Sequence, residues 1–462
     1  MSARSNQMSD NSTPAISGSK RVLRGVSLGI AVLLLVTGVK LLHTTGGIGA
    51  LLTGIAVTSI VLFLTVRYRH ASRRRQLWTA ARTFVLVLLV WDGISFASYV
   101  GHDNGDSVSQ RMVTWGRDHD LGVIIDRLET IVYSSPPAAK PAENLSVAPP
   151  MVEPTTTTVP ARPTGGTMPP TTTTILTPKP PAALTPLINP ALGSEGQWAP
   201  AARAGGVDAI WVTGIRPLPQ FGSVLASVAV IDQTYLRVGM FNGNEDPGGT
   251  WKRGSKLPEE LWPSLLATMN GGFRLEHSDG GYLTEGKVMR ALKPGRATMA
   301  IDREGRLSIG ELGRDMFDDG SWMTLRQNLN LLVDGGQSQI ERGKREHIWW
   351  GANSGDGVYV NRSALCELPD GRLAYAMVQT VDAEQLAQAL INIGCVKAMQ
   401  LDVNENWVSF FTYEHVADGS LSAHRLDRQM WDNSSKYFKG ASREFFAFFD
   451  TTLVPSPSVL DS

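Results

Sequence analysis

The sequence predicts three amino-terminal transmembrane helices, a disordered Pro/Thr-rich linker, and an α+β domain with a mixed β-sheet. Three observations lead to this prediction. Apolar runs occupy much of the chain before residue 101, proline and threonine dominate residues 136–200, and alternating strand patterns bracket a capped helix after residue 201. The chain has 462 residues, which is long enough for more than one domain.

The apolar runs cover residues 25–39, 48–66 and 82–100, and each is about long enough to cross ~30 Å of hydrocarbon. A soluble helical hairpin is the alternative, but little else in the chain would cover so much apolar surface. Basic residues precede the first run and separate the second from the third, which predicts a cytoplasmic amino terminus. We therefore expect a cytoplasmic tail at 1–20 and a three-span anchor at 21–100, with the lipid bilayer as a partner and the rest extracytoplasmic.

Between the anchor and the domain, the pattern changes twice. Residues 101–135 carry apolar side chains at helical spacing, including Met112 and Leu128, and predict a juxtamembrane amphipathic helix. Residues 136–200 contain too few large apolar side chains to offset the entropy of ordering, so they predict a disordered spacer. Residues 201–450 remain for one folded domain and 451–462 for a tail.

Within the domain, residues 227–231 and 235–241 have strand patterns. Asp382 and Gln385 form a capping-box pattern for a helix that Gly394 would end. The apolar face of that helix comprises Ala383, Leu386, Leu390 and Ile393. The 43 basic and 43 acidic residues of the chain cancel, so its net charge gives no reason to expect nucleic-acid binding.

Three motifs follow one another in the domain: Met-Asn-Gly-Gly-Phe at 269–273, Asn-Arg-Ser-Ala at 361–364 and Met-Gln-Leu-Asp-Val-Asn at 399–404. Their order resembles the phosphodiester glycosidase family, relatives of the uncovering enzyme N-acetylglucosamine-1-phosphodiester alpha-N-acetylglucosaminidase, over residues 207–449. Family members usually end the last strand in Leu-Asp-Gly-Gly-Gly-Ser, whereas this chain continues as Leu-Asp-Val-Asn. The resemblance implies a hydrolase acting on a sugar-1-phosphodiester in a cell-surface glycan.

Strand alternation through the last motif places Gln400, Asp402 and Asn404 on one face, at the carboxyl end of the strand. Polar side chains at such a position often line a ligand site, although an aspartate there is also a common turn cap. The resemblance implies that Asp402 is catalytic, as a base or as a stabiliser of an oxocarbenium-like state. Gln400 and Asn404 are then expected to bind substrate.

Asn270, Gly271 and Gly272 follow a short predicted strand. The glycines would permit unusual backbone angles and close approach of a ligand, with a plain hairpin turn as the alternative. Arg362 offers a planar fork that suits a phosphodiester, with a surface ion pair as the alternative. The resemblance implies that Asn270 positions the sugar and that Arg362 binds the phosphate, both as catalytic residues beside Asp402.

Other side chains near these motifs have weaker signals. Glu405 would supply a second carboxylate, and Trp407 would stack on a sugar ring. His277, His347 and His415 are scattered and more typical of structural histidines. The Asp-Gly-Gly-Gln-Ser sequence at 334–338 looks like the missing glycine signature but lies upstream of Arg362, so we interpret it as a turn.

Cys366 and Cys395 are the only cysteines. Both fall in the domain expected outside the cytoplasm, on or beside strands that the family fold would bring into one sheet. We expect a disulfide, with two buried thiols as the alternative, and no metal pair, since neither has a second ligand at close spacing. No cofactor is expected.

A non-catalytic glycan-binding or scaffold protein of the cell surface, on the same fold, is the second hypothesis. It follows from the loss of the glycine turn after Asp402, because Val403, Glu405 and Trp407 are bulky enough to fill a pocket. Both hypotheses predict a cell-envelope glycan or glycosyl phosphodiester as the partner, and turnover distinguishes them.

Overall fold

The computed structural model describes residues 73–102, 108–119, 121–132, 134–140, 177–340, 358–403 and 406–461. The chain divides into two compact units, Met1–Tyr99 and Val100–Ser462. The first two predicted spans, at 25–39 and 48–66, lie outside the described residues, as does much of the predicted linker.

In the first unit, the described element is helix α1, Arg73–Gly101, which contains the third predicted span. Over the part of the chain that is described, no helix combines the length and the apolar character needed to cross a membrane. The third predicted span, which lies in helix α1, therefore gains no support from the structure.

The second unit begins with two helices where the sequence predicted one. Helix α2 spans Val108–Asp118 and helix α3 spans Gly122–Val132. The chain turns between them, where the Leu121 N–H donates to the Gly116 carbonyl at 2.9 Å. A β-carbon on Gly116 would lie 2.7 Å from Ile125 Cδ1, so glycine allows the two helices to pack closely.

The rest of the second unit is mostly β-sheet. The strands are β1 Ala199–Ala204, β2 Val207–Ile215, β3 Ala226–Ile231, β4 Leu236–Phe241, β5 Leu265–Asn270, β6 Tyr282–Thr284, β7 Lys287–Arg290, β8 Ala297–Asp302, β9 Leu307–Glu311, β10 Trp322–Gln327, β11 Leu331–Asp334, β12 Gln337–Ser338, β13 Val360–Glu367, β14 Leu373–Val381, β15 Lys397–Gln400, β16 Phe410–His415, β17 Leu421–Arg425 and β18 Phe445–Asp450. They form an eight-stranded sheet, β1-β2-β3-β14-β13-β15-β11-β12, and two five-stranded sheets, β7-β6-β10-β8-β9 and β17-β16-β5-β18-β4.

The prediction of a mixed sheet is wrong, because the named strands of the described chain all pair antiparallel. The sequence shows strand, helix, strand from β14 to β15, which is the pattern of a parallel crossover. In the structure β13 lies between those two strands and pairs antiparallel with both. The crossover exists, but its strands are not neighbours.

The sheets share one hydrophobic core. A single cluster of buried side chains contains Met377 of β14, Met299 of β8 and Phe446 of β18, one from each sheet. Along β18, Phe446 and Phe448 belong to this cluster, while Phe445 and Phe449 belong to a second cluster on the other face. Because successive side chains of a strand point to opposite faces, β18 packs against an apolar cluster on each face.

Helix α4, Ala383–Ile393, packs against the other face of the eight-stranded sheet. Its capping box is confirmed: Asp382 accepts from the Gln385 N–H at 2.8 Å, and the Gln385 side chain accepts from the Asp382 N–H at 3.2 Å. Gly394 ends the helix with a φ of 104°. The predicted apolar face is buried: Ala383, Leu386, Leu390 and Ile393. A short helix α5, Lys436–Lys439, precedes β18.

The predicted disulfide is confirmed. Cys366 on β13 and Cys395 after helix α4 are bonded, with their α-carbons 5.7 Å apart. Both belong to the hydrophobic cluster beneath that helix. The bond therefore ties the end of the helix to the sheet that it covers.

The chain packs against the domain well before residue 201. Glu195 and Arg216 form a buried ion pair with a Nη2 to Oε2 distance of 2.8 Å. The Leu184 N–H donates to the Gly196 carbonyl at 2.9 Å. Residues 177–198, which the sequence assigned to the spacer, thus contribute to the folded domain.

The capping box generates a test of the fold. We expect Asp382→Ala to lower the free energy of unfolding by about 1 kcal/mol, because the first turn of α4 loses its capping acceptor. Urea unfolding measures this. Gln388→Ala, an exposed change on the same helix, is the control and should shift the free energy by less than about 0.5 kcal/mol. Equal losses in both variants would contradict the capping assignment.

Candidate active site

Asp402 lies just past the end of β15, where its side chain and backbone are both held. It is buried, and its carboxylate is paired with Arg443. Its N–H donates to the Gly271 carbonyl at 3.2 Å, and its carbonyl accepts from Ser363 Oγ at 2.7 Å. The strand end that carries the candidate catalytic carboxylate is therefore tied to both of the other sequence motifs.

The predicted alternation along β15 is found in the described part of the motif. Met399 belongs to the core between the sheets, and Ala398 belongs to the cluster beneath helix α4. Gln400 is buried, and its carbonyl accepts from Asn328 Nδ2 at 2.6 Å. Asn404 and Glu405, predicted to bind substrate, lie outside the described residues.

Arg443 and Lys436 both contact the ring of Trp407. The Arg443 guanidinium carbon lies 4.9 Å from the centroid of the indole ring, and Lys436 Nζ lies 4.5 Å from it. Trp407 is only 2% exposed, so its ring does not lie open for a sugar to stack on. The indole instead packs against two positive charges, and one of them, Arg443, is paired with Asp402.

Asn270 acts as a hydrogen-bond junction inside the fold. Its Nδ2 donates to the Gly271 carbonyl at 2.9 Å and to Ser363 Oγ at 3.1 Å. Its Oδ1 accepts from the Tyr375 hydroxyl at 2.8 Å and from the Ser409 N–H at 3.0 Å. With 1% exposure, the side chain is placed to hold the site together rather than to contact a sugar.

Gly271 and Gly272 are required for close packing. Their φ angles are not among the positive ones, so the unusual backbone angles expected from the sequence are absent at these two residues. A β-carbon on Gly271 would lie 2.4 Å from Glu444 Oε1, and one on Gly272 would lie 2.8 Å from Asn328 Cγ. Protein side chains, rather than a ligand, occupy the space that the glycines leave.

Arg362 is fully buried. Its Nε donates to the Val381 carbonyl at 2.7 Å, Nη1 to Gln400 Oε1 at 3.2 Å, and Nη2 to the Val358 carbonyl at 3.3 Å. Burial lowers the pKa of its guanidinium to about 10. A surface ion pair is thus excluded, and these contacts favour a structural role over the predicted phosphate binding.

Sequence reasoning missed the two residues before β18. Arg443 reaches Asp402, and Glu444 accepts from Arg326 Nε at 2.7 Å on the other side of the Gly-Gly turn. Glu444 is buried, and desolvation raises the pKa of its carboxyl to about 7 despite the attraction of Arg326. An adjacent Arg-Glu pair directly before the apolar run Phe-Phe-Ala-Phe-Phe is the signal that would have found them.

The remaining candidates lie apart from this cluster or at its edge. The His277 side chain is 40% exposed, and partial desolvation lowers the pKa of its imidazole, which the charge of Arg443 lowers further. His415 Nε2 lies 2.9 Å from the Leu265 carbonyl, and His347 lies outside the described residues. Over the described ranges, no group of three or more His, Cys, Asp or Glu side chains is arranged to hold a metal ion.

The sequence at 334–338 is a turn, as predicted. It joins β11 to β12, which pair antiparallel. Gly335 and Gly336 have φ angles of 57° and 71°, the conformation that a tight two-residue hairpin requires. This segment plays no part in the cluster around Asp402.

The close packing at the Gly-Gly turn generates the second test. We expect Gly271→Ala to lower the free energy of unfolding by about 1–3 kcal/mol, because the new methyl group overlaps the buried Glu444 carboxyl. Gly254→Ala is the matched control, since its β-carbon would have no contact closer than 4.0 Å. Thermal and urea unfolding of both variants measure the difference. A Gly271→Ala protein as stable as its control would show that the turn has room for a side chain.

Comparison with known proteins gives one family match. Residues 264–402 match the sequence model described as phosphodiester glycosidase. No curated protein matches the chain. Among solved structures, a hypothetical protein from Synechocystis aligns at 10% identity and a TM-score of 0.36, covering 55% of this chain and 64% of that chain. The zebrafish N-acetylglucosamine-1-phosphodiester alpha-N-acetylglucosaminidase catalytic domain, auto-inhibited by its pro-peptide, aligns at 18% identity and 0.34, covering 54% and 87%. The resemblance to the phosphodiester glycosidase family is thus confirmed for residues 264–402, the segment that contains Asn270, Arg362 and Asp402.

Proposed function

We propose that this domain is a hydrolase that cleaves a sugar-1-phosphodiester of a cell-envelope glycan. The observation that supports it most is the Asp402 carboxylate at the end of the family-matched segment, paired with Arg443, whose guanidinium lies over the Trp407 ring. A carboxylate and a guanidinium together suit a substrate with a sugar on one side and a phosphate on the other.

The chemistry divides between these groups. Cleavage of the bond between the anomeric carbon and the phosphate oxygen places positive charge on the sugar and negative charge on the leaving phosphate. Asp402 would stabilise the first and Arg443 the second. A phosphate monoester leaves with low basicity, so this reaction has little need of a general acid.

Arg443 takes the phosphate-binding role that the sequence assigned to Arg362. A guanidinium has five N–H donors, and the bond to Asp402 uses one of them. The Arg443 side chain is 11% exposed, whereas Arg362 is fully buried among carbonyl and amide oxygens. Arg443 is therefore the guanidinium that lies within reach of a substrate at Asp402.

We also propose that the domain is extracytoplasmic. Disulfides persist in oxidising compartments, which supports this location through the Cys366–Cys395 bond. The distribution of basic residues before residue 76 supports the same orientation. Anchoring to a lipid bilayer rests on the apolar runs at 25–39 and 48–66 alone.

A non-catalytic glycan-binding or scaffold protein is the second candidate. It is favoured by Asn270 and Arg362, whose side chains hydrogen-bond to groups of the protein core. Turnover decides between the two candidates, since both predict affinity for a glycan.

The carboxylate is tested with aryl glycosyl phosphodiesters and the full chain. We expect Asp402→Asn, which preserves size, to lower kcat by at least about 100-fold because the developing positive charge loses its stabiliser. Asp427→Asn is the matched control, since Asp427 is also buried and hydrogen-bonded, to Ser227 and Gln379. Full activity in Asp402→Asn would remove this residue from catalysis. No turnover by the unaltered chain on any glycosyl phosphodiester would favour the glycan-binding candidate.

The two arginines are separated by a paired substitution. We expect Arg443→Lys to lower kcat/KM by about 10-fold or more with little change in Tm, since lysine keeps the charge and loses the planar fork. Arg362→Lys should lower Tm and leave turnover per folded molecule nearly unchanged, because it loses buried bonds to carbonyl oxygens. The opposite pattern would return the phosphate-binding role to Arg362.

A further inference from the structure

A single peptide group connects Asp402 to Glu444. The carbonyl of the peptide between Gly271 and Gly272 accepts a hydrogen bond from the Asp402 N–H at 3.2 Å. The same peptide donates its N–H to Glu444 Oε1 at 3.1 Å. Asn270 Nδ2 adds a second bond to the carbonyl at 2.9 Å. Glu444 therefore fixes the orientation of this peptide through its N–H. The carbonyl of the same peptide in turn holds the strand end that carries Asp402.

Glu444 is an unusual residue to hold a backbone N–H in this position. It is buried, and Arg326 supplies its other hydrogen bond, to the same Oε1. Glu444 Oε2 has no hydrogen-bond partner among the described residues. Leaving a buried acceptor unsatisfied costs about 1–3 kcal/mol, so a residue kept for stability alone would be better replaced by an apolar one.

The charged and titratable groups around Glu444 come from several elements. Arg326 on β10 bonds to it directly, and the ring of Tyr282 on β6 lies 5.8 Å from the Arg326 guanidinium carbon. The negative charge of Asp246, in the loop after β4, opposes its ionisation. Arg443 is its neighbour along the chain, with its side chain directed to Asp402.

We propose that Glu444 is a positioning residue for Asp402, acting through the Gly271–Gly272 peptide, and that its ionised form is the one that supports hydrolysis. The proposal rests on the function proposed above. An ionised carboxylate makes shorter and stronger bonds to the Gly272 N–H and to Arg326 than a neutral carboxyl does.

The pKa of Glu444 predicts the pH range over which its ionisation changes the rate of hydrolysis. Its folded value of about 7 lies above the ordinary value of 4.5, because burial disfavours the charge. The group therefore contributes stability that is fully present below 4.5 and is lost as the pH rises to about 7. Activity should rise over the upper part of that window, so the form that supports hydrolysis is the less stable one.

Glu444→Gln tests the proposal because glutamine has the size of glutamate and mimics its neutral form. In the full chain, with an aryl glycosyl phosphodiester, we expect kcat of the variant to equal that of the unaltered protein near about pH 5.5. Near about pH 8.5 it should be about 10-fold lower, with KM little changed. The rise in kcat centred near pH 7 should be absent. Persistence of that rise, or an equal loss at all pH values, would overturn the proposal.

Glu195→Gln is the matched control. Glu195 is also buried, paired with an arginine and hydrogen-bonded by backbone N–H groups, but it lies in the segment that packs before β1. We expect this variant to be less stable and to keep the unaltered pH profile of kcat. If it changed the profile as Glu444→Gln does, the effect would be structural and the proposal would fail.

Two measurements without turnover keep the proposal separate from the proposed function. As the pH rises from 4.5 to about 7, the Tm of Glu444→Gln should increase relative to the Tm of the unaltered protein, because only the unaltered protein loses the stability of the neutral Glu444 carboxyl. At about pH 8.5, hydrogen exchange at the amides of Gly272 and Asp402 should be several-fold faster in Glu444→Gln than in Glu195→Gln. Unchanged exchange at Asp402 would overturn the positioning role whether or not the chain is an enzyme. The expected exchange without any turnover would support the positioning role and remove only the proposed hydrolysis.

Discussion

The amide of Asn270 is the junction on which the site depends. Asn270 ends β5 in one five-stranded sheet, and its side chain bonds to Ser363 on β13 and Tyr375 on β14 in the eight-stranded sheet. It also accepts from the Ser409 N–H, which precedes β16. A buried polar network of this kind is stabilising only when every member is satisfied. The bonds of Asn270 therefore fix how the two sheets meet, and Asp402 lies where they meet.

Charge is concentrated at the same junction. Arg443 with Asp402 and Arg326 with Glu444 are two buried ion pairs on opposite sides of the Gly271–Gly272 turn. Desolvation makes buried pairs poor sources of net stability compared with apolar residues of similar size. Two such pairs next to the apolar run of β18 are therefore not explained by folding stability alone. The hydrogen bonds of Asn270 likewise fix the relative positions of the strands around Asp402.

Local signals in the sequence predicted local features, and long-range pairing supplied the rest. The capping box of Asp382, the turn at 334–338 and the cysteine pair are each recognisable from a few residues, and the structure contains all of them. Glu444 is 172 residues from the Gly272 N–H that it accepts, so no local pattern connects them. They meet because β18 pairs with β5. The pairing of β13 with β15, which lies beyond helix α4 in the chain, is also non-local. It places β13 between β14 and β15, so that neighbouring strands are antiparallel where the sequence predicted a mixed sheet.

The residues after Asp402 depart from the glycine turn that the family resemblance led us to expect. A glycine turn of the family kind offers backbone N–H groups to an anion. Here Val403 packs instead with Phe273, Leu329 and Val358 in a small apolar cluster, and Trp407 supports Arg443 and Lys436. Under the proposed function, the Arg443 guanidinium would bind the phosphate in place of such backbone donors. Its bond to Asp402 uses one of its five N–H donors, and the Trp407 ring packs against it. On that proposal, the divergence after Asp402 changes the means of binding the anion and leaves the carboxylate in place.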